Sequence, residues 1–267
     1  MSRITDAFAK ARSENRAAFI PYITAGDPSL KETERFVGAL AAAGADIVEL
    51  GVPFTDPIAD GKVNQRAAER ALAAGTTLQR ILTELVPALR ATHPDLGLVI
   101  FSYYNPVLRL GLKEFANQAK TAGADGVLIV DLPPEEAQAH SAAAQASGLD
   151  TIFLAAPTTT PTRLERIDAA SSGFIYYVSR LGVTGARAQL TETLADEIAQ
   201  LREKLKNPLA VGFGISTPVQ ARAVAKLADA VVVGSALVKL IQDQEPEAAE
   251  AALGRLAGDI RRALVRS

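Results

Sequence analysis

One junction recurs along this chain and limits what it can fold into. "AAAGADIVEL" (41–50), "KTAGADGVLIV" (120–130) and "AKLADAVVVGS" (225–235) share a grammar. An alanine-rich helical stretch ends, often at a glycine, and an Ala-Asp pair leads into a β-branched run. Glycine suits the left-handed position that closes a helix. Such β-branched runs recur at 18–26, 46–51, 97–104, 125–131, 150–157, 173–179, 208–214 and 229–235. Between them lie segments rich in Ala, Leu, Glu, Lys and Arg at helical spacing, as at 30–43, 112–122, 134–147 and 190–206. Strand alternating with helix predicts βαβ units and a parallel sheet. With no long linker and no shift in composition, the expectation is an α/β fold: a single (β/α)8 TIM barrel over residues 1–267. The polar, amphipathic start "MSRITDAFAKARSENR" adds an N-terminal extra helix. The alternative is an open doubly wound sheet, but "ITAGDPS" after the first run does not fit its G-x-G-x-x-G fingerprint.

Composition removes several kinds of function. The formal net charge is −2 and the basic residues are scattered, so there is no electrostatic footprint for nucleic acid. No apolar run reaches the roughly 20 residues needed to span a bilayer, and the start lacks a signal-peptide core; a cytoplasmic location is expected. The chain has no cysteine, which excludes thiolate catalysis, disulfides and cysteine–metal sites. The only histidines are His93, before a proline, and His140, in a polar, alanine-rich helical pattern. Both read as solvated surface, so no metal site or triad is expected and acid–base work falls to Asp, Glu, Tyr or Lys.

In such a barrel the site lies at the C-terminal ends of the strands. Asp46, Asp125 and Asp229 begin strands and are therefore structural. Glu49 near the end of "DIVELG" is different. Side chains alternate, so Val48 and Leu50 face the helices while Ile47 and Glu49 point inward. A carboxylate there is partly desolvated and its pKa rises toward a value useful for proton transfer; the alternative is a buried acid neutralised by a structural Arg or Lys. Asp56 and Asp60 follow in "TDP" and "ADG", which is turn grammar, yet the loop can also bring a second carboxylate over the mouth. Gly212, Gly214, Gly234 and Ser235 after the seventh and eighth runs, with "GVTG" (182–185), form an anion cradle of backbone N–H groups and a helix N-terminus. Their alternative use is tight packing. Tyr22, Phe101, Tyr103, Leu154, Tyr176 and Phe213 lie on or just beyond strands, as ordinary core or as the apolar wall of a pocket for a ring.

The segments "FIPYITAGDPS", "ADIVELGVPFTDPIADG", "YYNPVL", "GVLIVDLPPEE", "GFIYYVSRLGVTGA", "GFGIS" and "VVVGSALVK" together resemble the tryptophan synthase alpha chain family, in order from about residue 4 to 262. The resemblance implies retro-aldol cleavage of indole-3-glycerol phosphate to indole and glyceraldehyde 3-phosphate, with no metal or cofactor of its own. It implies a beta chain partner in an alpha2beta2 assembly, carrying pyridoxal phosphate and receiving the indole for tryptophan synthesis. Carried over by motif, Glu49 is the general acid–base, Asp60 the carboxylate at the indole N–H, and Tyr176 a residue beside the substrate. Gly185, Gly214, Gly234 and Ser235 match the phosphate cradle, and Thr184 meets Asp60 on loop closure. Asp56, Pro57 and Asn105 are expected to face the partner. The sequence departs from the family pattern at Lys62, where many members have proline after "ADG".

Overall fold

The computed structural model describes residues 2–178, 198–199, 201–202, 204–212 and 214–266. Eight strands close into a parallel barrel in sequence order: β1 (Ala18–Thr24), β2 (Ile47–Gly51), β3 (Gly97–Ser102), β4 (Gly126–Ile129), β5 (Asp150–Ala155), β6 (Ile175–Val178), β7 (Leu209–Gly212) and β8 (Ala230–Val233). The last strand pairs with the first through Ala18 opposite Ala230 and Ile20 opposite Val232. The described helices begin with α1 (Arg3–Ser13), α2 (Leu30–Ala42), α3 (Lys62–Ala73) and a helical stretch α4 (78–92). They continue with α5 (Tyr104–Leu110), α6 (Leu112–Ala122), α7 (Gln138–Ser147) and α8 (Pro161–Ala170). The last three are α9 (Pro218–Ala225), α10 (Ser235–Asp243) and α11 (Pro246–Ala263).

The alternation read from sequence divides two cores. Outward residues such as Val48, Leu50, Ile100 and Val211 pack with the helices, while Ile20, Ile47, Val99, Leu128, Ile152 and Phe174 fill the barrel. The extra helix α1 plugs the bottom. Its Ile4, Ala7, Phe8 and Ala11 recur at helical spacing and join the interior, with Phe8 5.8 Å from Phe174. The closed lower end leaves the upper end as the place for a cavity.

The recurring Ala-Asp junction has one physical use. Asp46 accepts the N–H of Phe19 at 2.8 Å, Asp125 that of Leu98 at 3.0 Å, and Asp229 that of Leu209 at 2.9 Å. Each aspartate thus ties its own strand start to the strand before it. Each is also paired with an arginine: Arg16 at 2.6 and 2.7 Å, Arg90 at 2.7 Å and Arg202 at 3.0 Å. The three acids are structural, as their place at the N-terminal ends required.

Two expectations are corrected. The helix expected at 134–147 begins at Gln138; before it the Glu136 and Ala137 N–H groups close tight turns on the carbonyls of Pro133 and Pro134 instead of a helical ladder. His140 is not solvated surface: it is 4% exposed and shares the inner face of α7 with Ala143 and Ala144. Its Nδ1 has no hydrogen-bond partner among the described residues, and burial pushes its pKa down to about 4. His93 is half-buried. Most of the helix expected at 190–206 lies outside the described residues.

Candidate active site

A cavity of about 530 Å³ opens at the C-terminal end of the barrel. Its walls bring together nine of the residues singled out in the sequence: Tyr22, Glu49, Asp60, Phe101, Leu154, Tyr176, Gly214, Gly234 and Ser235. Glu49 stands on the floor, in register between Tyr22 of β1 and Val99 of β3, and is 0% exposed. Neither carboxyl oxygen has a hydrogen-bond partner among the described residues. Among the described residues no arginine or lysine pairs with it. Burial alone pushes its pKa up to about 8. At neutral pH it is a protonated acid with its hydrogen-bonding capacity unspent.

Asp60 sits at the rim in a different environment. Its N–H donates to the Pro57 carbonyl at 3.0 Å, which makes the turn that the loop sequence announced. Its side chain faces inward and accepts from the Tyr103 hydroxyl at 2.9 Å and more loosely from the Asn64 amide at 3.4 Å. Burial raises its pKa, and those two hydrogen bonds oppose the rise. Tyr103, expected as pocket wall, therefore serves another purpose. Its hydroxyl also accepts the N–H of Ala59 at 3.0 Å, and its ring packs on Phe54 at 5.1 Å, so it fastens the 53–60 loop to β3.

Two further tyrosines cross the barrel mouth over bare glycines. A Cβ on Gly51 would collide with the hydroxyl and ring of Tyr22, and one on Gly212 would stand 2.5 Å from the Tyr176 hydroxyl. Glycine is needed at both strand ends for these side chains to lie across their neighbours. Burial raises the pKa of both phenols, and the nearby Glu49 raises each further, so both remain neutral. Tyr22 also packs edge-on against Phe101 at 5.1 Å, forming one apolar wall.

The sequence profile of the tryptophan synthase alpha chain family matches residues 8–264. The alpha chain of Geotalea uraniireducens is 52% identical over 243 residues, covering 91% of this chain and 90% of that one. The alpha chain of Burkholderia multivorans is 47% identical over 264 residues, covering 99% and 97%. Among solved structures, the alpha subunit from Legionella pneumophila superposes with a TM-score of 0.91 at 39% identity, covering 99% and 98%. A chain of Mycobacterium tuberculosis tryptophan synthase does so at 0.89 and 37% identity, covering 100% and 99%. The chain belongs to the tryptophan synthase alpha chain family. As an alpha chain it is a carbon–carbon lyase that cleaves indole-3-glycerol phosphate, and it partners a beta chain.

In this alpha chain Ser235 opens α10 behind Gly234, and that helix start has neither a side-chain cap nor an acidic residue in its first turn. Its free N–H groups and positive end are open to an anion. Thr184, Gly185 and Phe213 lie outside the described residues. Asp56 and Asn105 are exposed and Pro57 is half-buried on the same upper face. Asn105 lines a second groove of about 550 Å³ with Pro53, Phe54, Pro106 and Arg109, and Ile58 at the loop tip is 87% exposed. Asp131, two residues beyond β4, accepts the N–H of Tyr104 at 2.7 Å and supports the start of α5.

Sequence reasoning missed Val130, Val178 and Asn64 as cavity walls. Val130 follows β4 and Val178 ends β6, and both were open to the same argument that found Glu49. Asn64 stands four residues after Asp60, but its contact depends on how the turn enters α3. Among the described residues no three His, Asp or Glu side chains cluster as a metal site.

Proposed function

We propose that Glu49, Asp60 and Tyr176 carry the cleavage of indole-3-glycerol phosphate, with the phosphate held by Gly214, Gly234 and Ser235. The observation that carries this reading is the contrast between the two acids on one cavity: Glu49 kept protonated by burial, Asp60 hydrogen-bonded at the rim. Two carboxyl groups in unlike surroundings divide acid from charge stabiliser.

Glu49 gives its proton to indole C3, which makes the ring an electron sink. Positive charge develops at the ring nitrogen, where the Asp60 carboxylate accepts the N–H and stabilises it. The C3–C3′ bond then breaks, its electron pair restoring the indole ring while the C3′ hydroxyl becomes the aldehyde. The Glu49 carboxylate takes the hydroxyl proton and returns to its starting state. Tyr176, a neutral phenol close to Glu49, is a hydrogen-bond donor beside the reacting carbons. Tyr22, Phe101 and Leu154 flank the ring, with Phe213 as a further wall. Gly185 completes the phosphate cradle and Thr184 meets Asp60 when the loop closes.

The 53–60 loop with Asp56 and Pro57, together with Asn105, forms the face for the beta chain, and the exposed Ile58 supports that placement. The assembly is alpha2beta2, the pyridoxal phosphate belongs to the beta chain, and the alpha chain acts in the cytoplasm without a cofactor of its own. No described helix is long and apolar enough to cross a membrane. The test is indole release by wild type, Glu49→Gln and Asp60→Asn, each with and without beta chain. Each positioned group is worth about 10²–10⁴ in rate, so both variants should fall by that order. Unchanged indole formation in Glu49→Gln sinks the mechanism.

A further inference from the structure

Lys62 breaks a local rule. It is the first residue of α3, whose start has Gly61 as its cap, no side-chain cap bond and no acid in the first turn. A cation at a helix N-terminus opposes the macrodipole, so this placement costs stability. Among the described residues its ammonium has no ion-pair or hydrogen-bond partner that offsets this. Asp60, two residues earlier, gives its carboxylate to Tyr103 and Asn64 instead. A rule broken without local compensation is the mark of a functional position.

Lys62 is exposed, and the packing places it on the rim of the cavity. Val63 and Ala67 of α3 pack with Val238 of α10 and with Tyr22, so the two helices lie side by side with both N-termini at the barrel mouth. Gly61, Lys62, Val63 and Asn64 line the same cavity as Gly214, Gly234 and Ser235. Among the described residues that line it, Lys62 is the one cation. Two uncapped helix starts without acids therefore converge there, with an ammonium on one of them. That field suits a dianion rather than a neutral group.

We infer that Lys62 is a specificity-determining residue that pairs with the phosphate of the substrate, across the cavity mouth from the Gly234–Ser235 cradle. The inference rests on the reading of this cavity as the indole-3-glycerol phosphate site. Lys62 extends the cradle from one helix start to two, and it selects the phosphorylated substrate over an uncharged one. A point charge on a flexible stem makes this contact without fixing the phosphate's orientation.

The experiment compares wild type, Lys62→Gln and Lys62→Arg, each assembled with beta chain. It measures KM and kcat for indole-3-glycerol phosphate, and competitive inhibition by glycerol 3-phosphate and by indole. Lys62→Gln should raise KM and the glycerol 3-phosphate Ki together, by about three- to fivefold, the upper end for a solvent-accessible charge pair. The change in kcat should be smaller, the indole Ki should stay within about twofold, and Lys62→Arg should recover most of the loss. Added salt should weaken glycerol 3-phosphate binding more in wild type than in Lys62→Gln. Equal glycerol 3-phosphate Ki values in wild type and Lys62→Gln overturn the inference. So does an equal rise in the indole Ki, which would make Lys62 a general shaper of the cavity. A lower melting temperature of ligand-free Lys62→Gln would make it a structural residue and overturn it too. These outcomes are separate from the cavity assignment, which fails only if Glu49→Gln leaves cleavage intact.

Discussion

Glu49→Gln changes stability in a way that depends on pH, and the sign follows from burial. The carboxyl titrates near its usual 4.5 in the unfolded chain and at about 8 in the folded one. Between those values the folded state binds more protons, so stability falls as pH rises. The benefit of the protonated acid is complete below about pH 4.5 and lost once the pH has risen through about 8. At about 1.36 kcal/mol per pH unit, the gap corresponds to an upper figure of about 5 kcal/mol. Local opening that admits water would reduce it, so about 2–4 kcal/mol is expected in practice. Gln has nearly the same shape and does not titrate. Every other group, His140 and Asp60 included, is common to both proteins and cancels in the difference.

The assay is urea unfolding of ligand-free wild type and Glu49→Gln at half-unit steps from pH 5 to 9. Near pH 5 the two should differ by a constant offset that reflects the amide. Above that, wild type should lose ground steadily to the variant and level off beyond about pH 8. A difference flat to within about 0.5 kcal/mol over the whole range would refute the claim that Glu49 is buried as an unpaired acid. It would also remove the reason for calling it a proton donor at neutral pH.

Other outcomes follow from the same geometry. Tyr103→Phe keeps the ring against Phe54 but deletes the hydroxyl that donates to Asp60. The Asp60 pKa should rise further, the acid limb of the kcat/KM–pH profile should shift upward, and kcat/KM should drop by about tenfold for one charge-assisted hydrogen bond; an unmoved acid limb counts against the fastening role. His140, held near 4 by burial, binds fewer protons folded than unfolded, so its contribution is present above about pH 6.5 and lost as the pH falls toward 4. His140→Leu should flatten that acid-side decline in urea midpoints by up to about 3 kcal/mol, and an unchanged decline would show that His140 charges freely in the native state. Asp125→Ala removes a buried acid that serves Arg90 and the Leu98 N–H. It should cost about 3–5 kcal/mol in denaturant unfolding, and a cost below about 1 kcal/mol would refute the stapling role of the Ala-Asp junction.

How far the sequence could be read depended on whether a feature is periodic or local. Strand alternation placed Val48 and Leu50 outside and Glu49 inside, because the period of two leaves a strand no other way to bury its apolar side chains. The Ala-Asp junction announced the strand starts for the same reason, since each acid answers to its neighbouring strand. Contacts between distant loops were not legible. The Tyr103 hydroxyl meets Asp60 across 43 residues of sequence, and only the closed barrel decides that β3 stands under the loop after β2. His140 was misread because its helix is mostly alanine, which marks neither a buried nor an exposed face, so the inward stripe had no apolar signature. Gly212 was read as part of an anion cradle and Gly51 drew no reading; their use by Tyr176 and Tyr22 depends on barrel curvature. Lys62 belongs to a third kind. The sequence shows it as a departure from a family pattern, and the fold shows that it sits at the wrong end of a helix. Neither fact alone assigns a function. Together they say that the chain tolerates an unfavourable charge where two helix starts meet one cavity, and an anion in that cavity would turn the same charge into binding energy.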